Sequence, residues 1–449
     1  MSNNNGKTYK MGLFGLTATA VGTTVGAGVV TLVGRAVSVT GGSTWLAYLV
    51  AILWGAVTVL PFAFVSSALR VEGGNYSTVL NLGGRRLAGI YVCSSILMAL
   101  NWATFGVGLS DYLSAYMPSI NKTVIAATCI LLFYGLNLLG ISAFEKVQSI
   151  MTVMLVLMRV FFGLYGLPRI HTEIFDFHNP TFFSGGMEGF CEAAGMFLYS
   201  TVTYQILLNF SGRAKKPKKL IPLAMLLCML IIIVIYGLVA ITATGVLPLE
   251  QAANKTLLDT AQAMWPSILV VLFVIFGPVM ALATTLNGNI VSFSIPIEAA
   301  ARDGWFPKVF AKANRYGAPY VVYTVGALIA LLPVIFGMDF NTIIKNMVVV
   351  FNMNGLFIFI SACYLPKKYP EAWKKASMHL PKPAFVMVMA VSFVALIVAL
   401  YIQFRGLQLA GVITTVVAYT IIIVYALYRE KKGHIHIQKD ALTVVEAED

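Results

Sequence analysis

Charge is what this sequence has least of. Only 11% of its 449 residues are Asp, Glu, Lys or Arg, and only 18 of those are carboxylates. No carboxylate falls in the middle of an apolar run, and the five histidines (His171, His178, His379, His434 and His436) all lie in connections or tails. An enzyme acting inside a membrane needs a nucleophile with a base, or metal ligands, at depth, so general acid–base and covalent chemistry have little to work with. The five cysteines follow no metal-ligand spacing. Cys93, Cys129, Cys228 and Cys363 sit within apolar runs and Cys191 near the start of one, which indicates no disulfide framework. A repeated filter sequence or a ring-forming charge pattern, the marks of a channel, is also missing. No polar stretch is long enough for a soluble domain.

What is there is apolar. Hydrophobic residues make up 59% of the chain and the mean hydropathy is +0.83, which implies an integral membrane protein. A helix of ~20 residues crosses a hydrocarbon core of ~30 Å. Runs of that kind recur at 11–37, 43–69, 86–117, 122–141, 146–168, 187–210, 220–246, 266–297, 319–336, 342–364, 383–403 and 407–428. The first follows a polar "MSNNNGKTYK" and is too long for the apolar region of a secretory leader, so it is expected to stay in place.

The net charge of +13 raises the question of nucleic acid, and the placement of the 31 Lys and Arg answers it. With the N-terminus in the cytoplasm, five (Arg35, Lys122, Arg169, Lys255, Arg405) fall outside and two (Arg159, Lys345) within runs, leaving 24 of 31 inside. Basic charge so distributed orients a chain in a bilayer and meets lipid headgroups. It predicts a multi-pass protein of the plasma (inner) membrane with both termini cytoplasmic and no nucleic-acid partner. The segment 429–449 starts basic, ends acidic, and is expected to be a mobile tail.

Two runs are weakened at mid-length. "VGTTVGAG" (21–28) carries Gly22, Gly26 and Gly28 with two threonines. One reading is close packing through a GxxxG pair. The other is a discontinuous helix whose freed amides bind an anion and whose freed carbonyls bind a cation. "FLYSTVTYQILL" (197–208) places Ser200, Thr201, Thr203, Tyr204 and Gln205 in the middle of the sixth run. Runs one and six correspond in two five-helix halves, and paired interruptions there favour the second reading.

Four stretches carry a resemblance: "VGTTVGAGVV", "GISAFEKVQ" (140–148), "SGRAKKPKKLIP" (211–222) and "EAAARDGWFPKVFAKANRYGAPY" (298–320). Over residues 11–365 the chain resembles the amino acid–polyamine–organocation superfamily of transporters. The resemblance implies an all-α membrane protein of twelve transmembrane helices with a leucine-transporter-type 5+5 inverted repeat. The repeats would be 11–168 and 187–364, with helices 1 and 6 broken, peripheral helices over 383–428, and cytoplasmic tails 1–10 and 429–449. The implied function is secondary active transport of a small zwitterionic amino acid by alternating access, not enzymatic catalysis. Exchange and proton-coupled permeation are the alternatives. Against the family pattern, Thr203 replaces a usual Gly, Tyr204 stands at a bulky aromatic position, and Arg213 replaces a usual Glu. Met154, six residues after Gln148, falls where many members carry a Lys linked to proton coupling.

The expected site follows. The amides of Gly26, Ala27 and Gly28, at the positive end of the outer half-helix, suit a carboxylate. Carbonyls near Thr23 and Thr24, with Ser200, Thr201 and Thr203, would hold an ammonium, and Tyr204 would cover the substrate. Asn101, in the third run, borders the substrate in this family. No cofactor is expected except a sodium ion, for which similarity to sodium-coupled members of the wider fold nominates Gly22, Val25, Ala281, Thr284 and Thr285. Arg159 is the one charge deep in a run, either functional or a structural cation that snorkels or pairs with Glu192.

Overall fold

A chain this apolar must satisfy its backbone within each run, and it does so as helix. The computed structural model describes residues 10–433 and 435–437. The helices of the first half are α1 (Leu13–Thr24), α2 (Ala27–Thr40), α3 (Thr44–Ala68), α4 (Gly74–Gly83), α5 (Arg85–Ser95), α6 (Leu100–Leu113), α7 (Lys122–Asn137) and α8 (Ile141–Gly166). After a connection come α9 (Gly186–Leu198), α10 (Pro217–Gly245), the short α11 (Leu249–Ala252) and α12 (Leu257–Met264), α13 (Ser267–Val274), α14 (Met280–Arg302), α15 (Tyr320–Ile335) and α16 (Phe340–Ala362). The short α17 (Leu365–Lys368) and α18 (Pro370–Lys374) lead to α19 (Lys382–Arg405) and α20 (Leu409–Lys431). Among the described residues, eight helical stretches are long and apolar enough to cross a membrane, and α1, α7 and α15 are apolar but shorter.

Helix α14 is the axis of the molecule. Every residue from Ala281 to Ile297 is buried, and α1, α6, α7 and α8 pack on it. Helix α10 lies along α3 and α8, and there glycine sets the spacing. A Cβ on Gly163 would stand 2.6 Å from the Cβ of Leu238, and the Thr242 hydroxyl donates to the Gly163 carbonyl at 3.1 Å. By contrast α19 and α20 present Met387, Val394, Leu409 and Ile421 outward, as lipid-facing helices do. The Trp54 indole holds α19 by donating to the Ala395 carbonyl.

Four spans depart from regular α-helix, the third run by a 3₁₀ turn at Ile96–Ala99 between α5 and α6. Between α1 and α2 the helix stops: Val25 has ψ 63° and Gly26 is extended. In the sixth run α9 gives way to 3₁₀ helix over Tyr199–Thr201 and Thr203–Arg213. A break was expected there, and the α-helix does stop at Leu198, with a bend at Val202 between the two 3₁₀ segments. Eleven residues of 3₁₀ helix are unusual, since runs beyond 3–4 are uncommon. Between α13 and α14 a π turn, Ile275–Val279, accommodates Pro278, which has no amide to give the ladder.

Both ends of the bundle are covered. At one end the connection after α8 makes a short 3₁₀ helix, Thr172–Phe175, and buries Phe182. Gly41 ends α2 at φ 66°, a left-handed conformation, and Thr181 and Phe182 accept from the amides of Gly42 and Ser43. At the other end Met11 donates to the Arg213 carbonyl at 2.7 Å and accepts from Lys215 at 3.0 Å. Arg213 pairs with Glu298 at 3.6 Å, and Arg302 pairs with the same carboxylate. The segment after α20, expected to be mobile, is anchored in part: the His436 amide donates to the Asp303 carbonyl and Ile435 is buried. His434 and residues 438–449 lie outside the described residues, as do 1–9.

The α8–α10 contact can be tested. Gly163→Leu is expected to lower the apparent melting temperature in detergent, in line with the ~1–3 kcal/mol of overpacking a close-packed contact. Gly135→Leu, where a Cβ would meet nothing within 4 Å, should leave it unchanged.

Candidate functional site

At the break, two helix ends of opposite polarity meet inside the protein. The last amides of α1 are bonded within the turn, Val25 to the Val21 carbonyl and Gly26 to the Thr24 carbonyl. The carbonyls of Gly22 and Thr23 therefore leave the α1 ladder and need other partners, and that of Thr24 keeps only the Gly26 amide of the turn. Helix α2 starts at Ala27 with no side-chain cap, so its first-turn amides are also open. Thr23, Thr24, Val25, Gly26 and Gly28 are all buried.

One partner for the freed carbonyls is Tyr236 on α10. Its hydroxyl lies 2.8 Å from the Thr24 carbonyl and 3.1 Å from the Ser200 carbonyl, tying the first break to the re-wound sixth run. The Tyr48 hydroxyl bonds the Ser200 side chain at 3.0 Å, and its ring stacks on Phe197 and Tyr236. Thr201 donates to the Ala51 carbonyl, and Thr203 reaches only the Tyr199 carbonyl of its own turn. A Cβ on Gly28 would stand 2.7 Å from the Cβ of Ser200, so α2 and the 3₁₀ segment touch only because residue 28 is glycine.

On the opposite side the break meets α14. The Thr284 hydroxyl is 2.7 Å from the Gly22 carbonyl, and Thr285 is 3.4 Å from the carbonyls of both Gly22 and Thr23 and 2.8 Å from that of Ala281. Four of the five oxygens nominated for a cation thus converge. Val25 adjoins them with its backbone out of helical conformation. A Cβ on Gly22 would overlap Thr152 and Gln148 of α8, and one on Gly26 would lie 2.9 Å from Thr285.

This corrects the assignment of Met154. Six residues along a helix rotate by ~240°, away from the face of Gln148. Met154 is accordingly 40% exposed, while Gln148 and Thr152, one turn apart, face Gly22. Gln148 in turn belongs to a chain of amides in which Asn287 donates to Gln148 and Asn137 donates to Asn287. Arg159 also departs from expectation. It is completely buried and Glu192 is exposed, so it neither snorkels nor forms that pair.

One turn along α14 from Thr285 lies a chamber of about 60 Å³, several times the ~10–15 Å³ one water needs. Asn75, Gln205, Asn209, Asn289, Ser292 and Asn354 supply its polar wall, and no charged side chain lines it. Asn289 links it to the break by donating to the Thr285 carbonyl, and Asn101 bonds Asn289 at 3.4 Å. Two buried wall atoms lack partners, the acceptor Asn75 Oδ1 and the donor Asn354 Nδ2. Tyr204 sits elsewhere, buried against a groove of about 400 Å³ between α3 and α10 that Ala56, Val59 and Met225 also line.

Sequence reasoning found the α1–α2 break, Ser200 and the two threonines of α14. It missed Tyr236, Tyr48, Gln148 and Asn289. A tyrosine at mid-run in α10 was the available signal, because a hydroxyl at that depth has to find a partner.

A buried break with open amides and carbonyls, next to a chamber walled by amides, suits a membrane carrier of small solutes. The amino acid permease family model matches residues 11–427, and the chain belongs to that family, within the amino acid–polyamine–organocation superfamily. It is a multi-pass membrane transporter of amino acids and not an enzyme. The chain is 23% identical to an uncharacterized protein of Methanocaldococcus jannaschii, covering 79% of this chain and 82% of the relative. It is also 23% identical to the branched-chain amino acid permease BcaP of Bacillus subtilis, with coverage of 81% and 82%. Identity is 25% to the mitochondrial cationic amino acid transporter 3 of Arabidopsis thaliana, over 67% of this chain and 53% of that longer protein.

Tyr236→Phe should loosen the junction of the two irregular spans, because it removes the hydroxyl that reaches the Thr24 and Ser200 carbonyls while keeping the ring. The expected destabilisation is ~1–3 kcal/mol in thermal melts. Tyr48→Phe, which removes one hydroxyl contact, should do less.

Proposed function

We propose that the protein carries a neutral zwitterionic amino acid across the plasma membrane by alternating access, with both termini cytoplasmic and twelve crossings arranged as two inverted five-helix repeats plus two peripheral helices. One observation carries this reading: the carbonyl end of α1 and the amide end of α2 meet at one buried point with no charged side chain at the break. Opposite helix ends offer partial charges of opposite sign, which matches an α-ammonium and an α-carboxylate on one small molecule. The amides of Gly26, Ala27 and Gly28 take the carboxylate. The carbonyls of Thr23, Thr24 and Ser200 take the ammonium, with Thr201 and Thr203 shaping the same segment.

The substrate side chain points to the chamber beside Asn101 and Asn289. The plant relative is named for cationic amino acids, but this chamber has amide walls and no carboxylate, so the reading here is an uncharged side chain. Tyr204, against the α3–α10 groove, is assigned to packing and not to a lid.

A sodium ion coupled to transport fits the oxygens of Gly22, Val25, Ala281, Thr284 and Thr285. The two hydroxyls can turn their hydrogens to the Met280 and Ala281 carbonyls of their own helix and present lone pairs to the ion. Gln148 and Thr152, which face Gly22, do not titrate, which favours sodium over a proton relay at this point.

Uptake of neutral amino acids into proteoliposomes, with an inward gradient of sodium or choline, tests the reading. Gly28→Leu is expected to abolish uptake while the protein remains monodisperse. Thr284→Ala with Thr285→Ala should raise the sodium requirement by at least about tenfold, the loss of roughly 1.4 kcal/mol of ion binding. Equal uptake in sodium and choline would replace symport by exchange or facilitated diffusion. Normal uptake by Gly28→Leu would remove the site itself.

A further inference from the structure

Arg159 of α8 is completely buried, and all three of its guanidinium nitrogens lack a hydrogen-bond partner. No ion pair among the described residues involves it. The titratable side chains near it are Tyr112, Tyr236 and Tyr48, all neutral phenols, and none of them is a carboxylate. One face of the guanidinium lies 5.8 Å above the ring of Phe273, a cation–π contact that offsets part of the lost hydration but uses none of the N–H donors.

A second observation comes from the same aromatic cluster. Trp265, which packs against Phe273 at 5.5 Å and Phe162 at 5.6 Å, is also buried, and its indole Nε1 has no acceptor. Phe273 thus has an unsatisfied guanidinium on one side and an unsatisfied indole nearby. Both are donors, and the charge is positive. Arginine in a membrane interior persists where something answers its charge, and two sets of buried donors with no acceptor call for an anion.

We propose that Arg159, with the Trp265 indole, binds a small monovalent anion, the chemistry shared by a halide and by a compact carboxylate. An anion there neutralises the one deep cation of the bundle beside Tyr236, the residue that joins the two irregular spans. Occupancy would therefore stabilise the closed junction. The site stands whatever solute the transporter carries.

The test is a thermal-melt titration of the purified full chain in detergent at constant ionic strength. Chloride, bromide and acetate are each compared with gluconate, whose carboxylate is tied to a bulky polyol. A melting temperature that rises saturably with chloride and bromide supports the proposal with a halide as occupant, and one that rises with acetate alone supports it with a carboxylate. Arg159→Gln should abolish the response, and in gluconate it should melt no lower than the parent, because it removes a charge that lacks its partner. Trp265→Phe keeps the ring packing and should raise the anion concentration required on the order of tenfold, as for one lost charge-assisted hydrogen bond. If Arg159→Gln does not fold, the parent and Trp265→Phe titrations decide. A parent that responds to none of the three anions, or a response unchanged in Arg159→Gln, overturns the site.

Discussion

The structure depends on the carbonyls that α1 releases at Thr24. In lipid such a group must find a donor inside the protein, and here the donor is the Tyr236 hydroxyl, shared with the carbonyl of Ser200. One side chain on α10 therefore satisfies an interruption in the first run and an irregularity in the sixth at once. Tyr48 supports it by stacking and by bonding Ser200. The close approach that makes this sharing feasible comes from glycine: Gly28 against Ser200, and Gly163 and Gly166 of α8 against α10. Packing and polarity are thus one problem at this junction, because a methyl group added at Gly28 would push apart the segments that the tyrosine joins.

Around that junction the interior is polar without being ionic. Asn137, Asn287 and Gln148 form one line of amides, and Asn101 and Asn289 form another that leads to the chamber. Carboxamides both donate and accept, so such lines can be satisfied in lipid at far lower desolvation cost than charges. The ion pairs are elsewhere, as with Arg213, Glu298 and Arg302 at the end where Met11 pairs with Arg213 and Lys215. That placement keeps strong electrostatics at the bundle's end and leaves the middle to weaker, directional contacts. Arg159 is the exception to this division.

The α1–α2 break was legible because glycine and threonine cluster at mid-run in an otherwise apolar sequence, where the local signal and the structural event coincide. The α14 threonines were legible only through resemblance, since in sequence they look like any hydroxyl pair that bonds back to its own helix, which they also do. Met154 was misplaced for a geometric reason. Counting residues from a motif ignores helical phase, and the face of α8 that meets Gly22 repeats at Gln148 and Thr152. The role of Tyr236 could not be read from the sequence, because partners 36 and 212 residues away give a buried polar residue its meaning. The same holds for Arg159: sequence marks the charge as deep, but whether a carboxylate approaches is a fact of packing.

The two irregular spans solve one requirement in different ways, and hydrogen-bond geometry explains the difference. The first run opens a gap, which frees amides and carbonyls but needs outside partners, supplied here by Tyr236, Thr284 and Thr285. The sixth run bends at Val202 and then winds more tightly, and 3₁₀ helix rises ~2.0 Å per residue against ~1.5 Å for α-helix. Over Thr203–Arg213 the tighter winding extends the chain by roughly 5 Å, about one α-helical turn. That extra reach accompanies the pairing of Arg213 with Met11 and with Glu298, which covers this end of the bundle. A length stored as winding can be returned without stranding a backbone group in lipid, whereas a gap can close only if its partners let go. The hydroxyls at the gap are therefore the contacts on which any rearrangement of the junction must act.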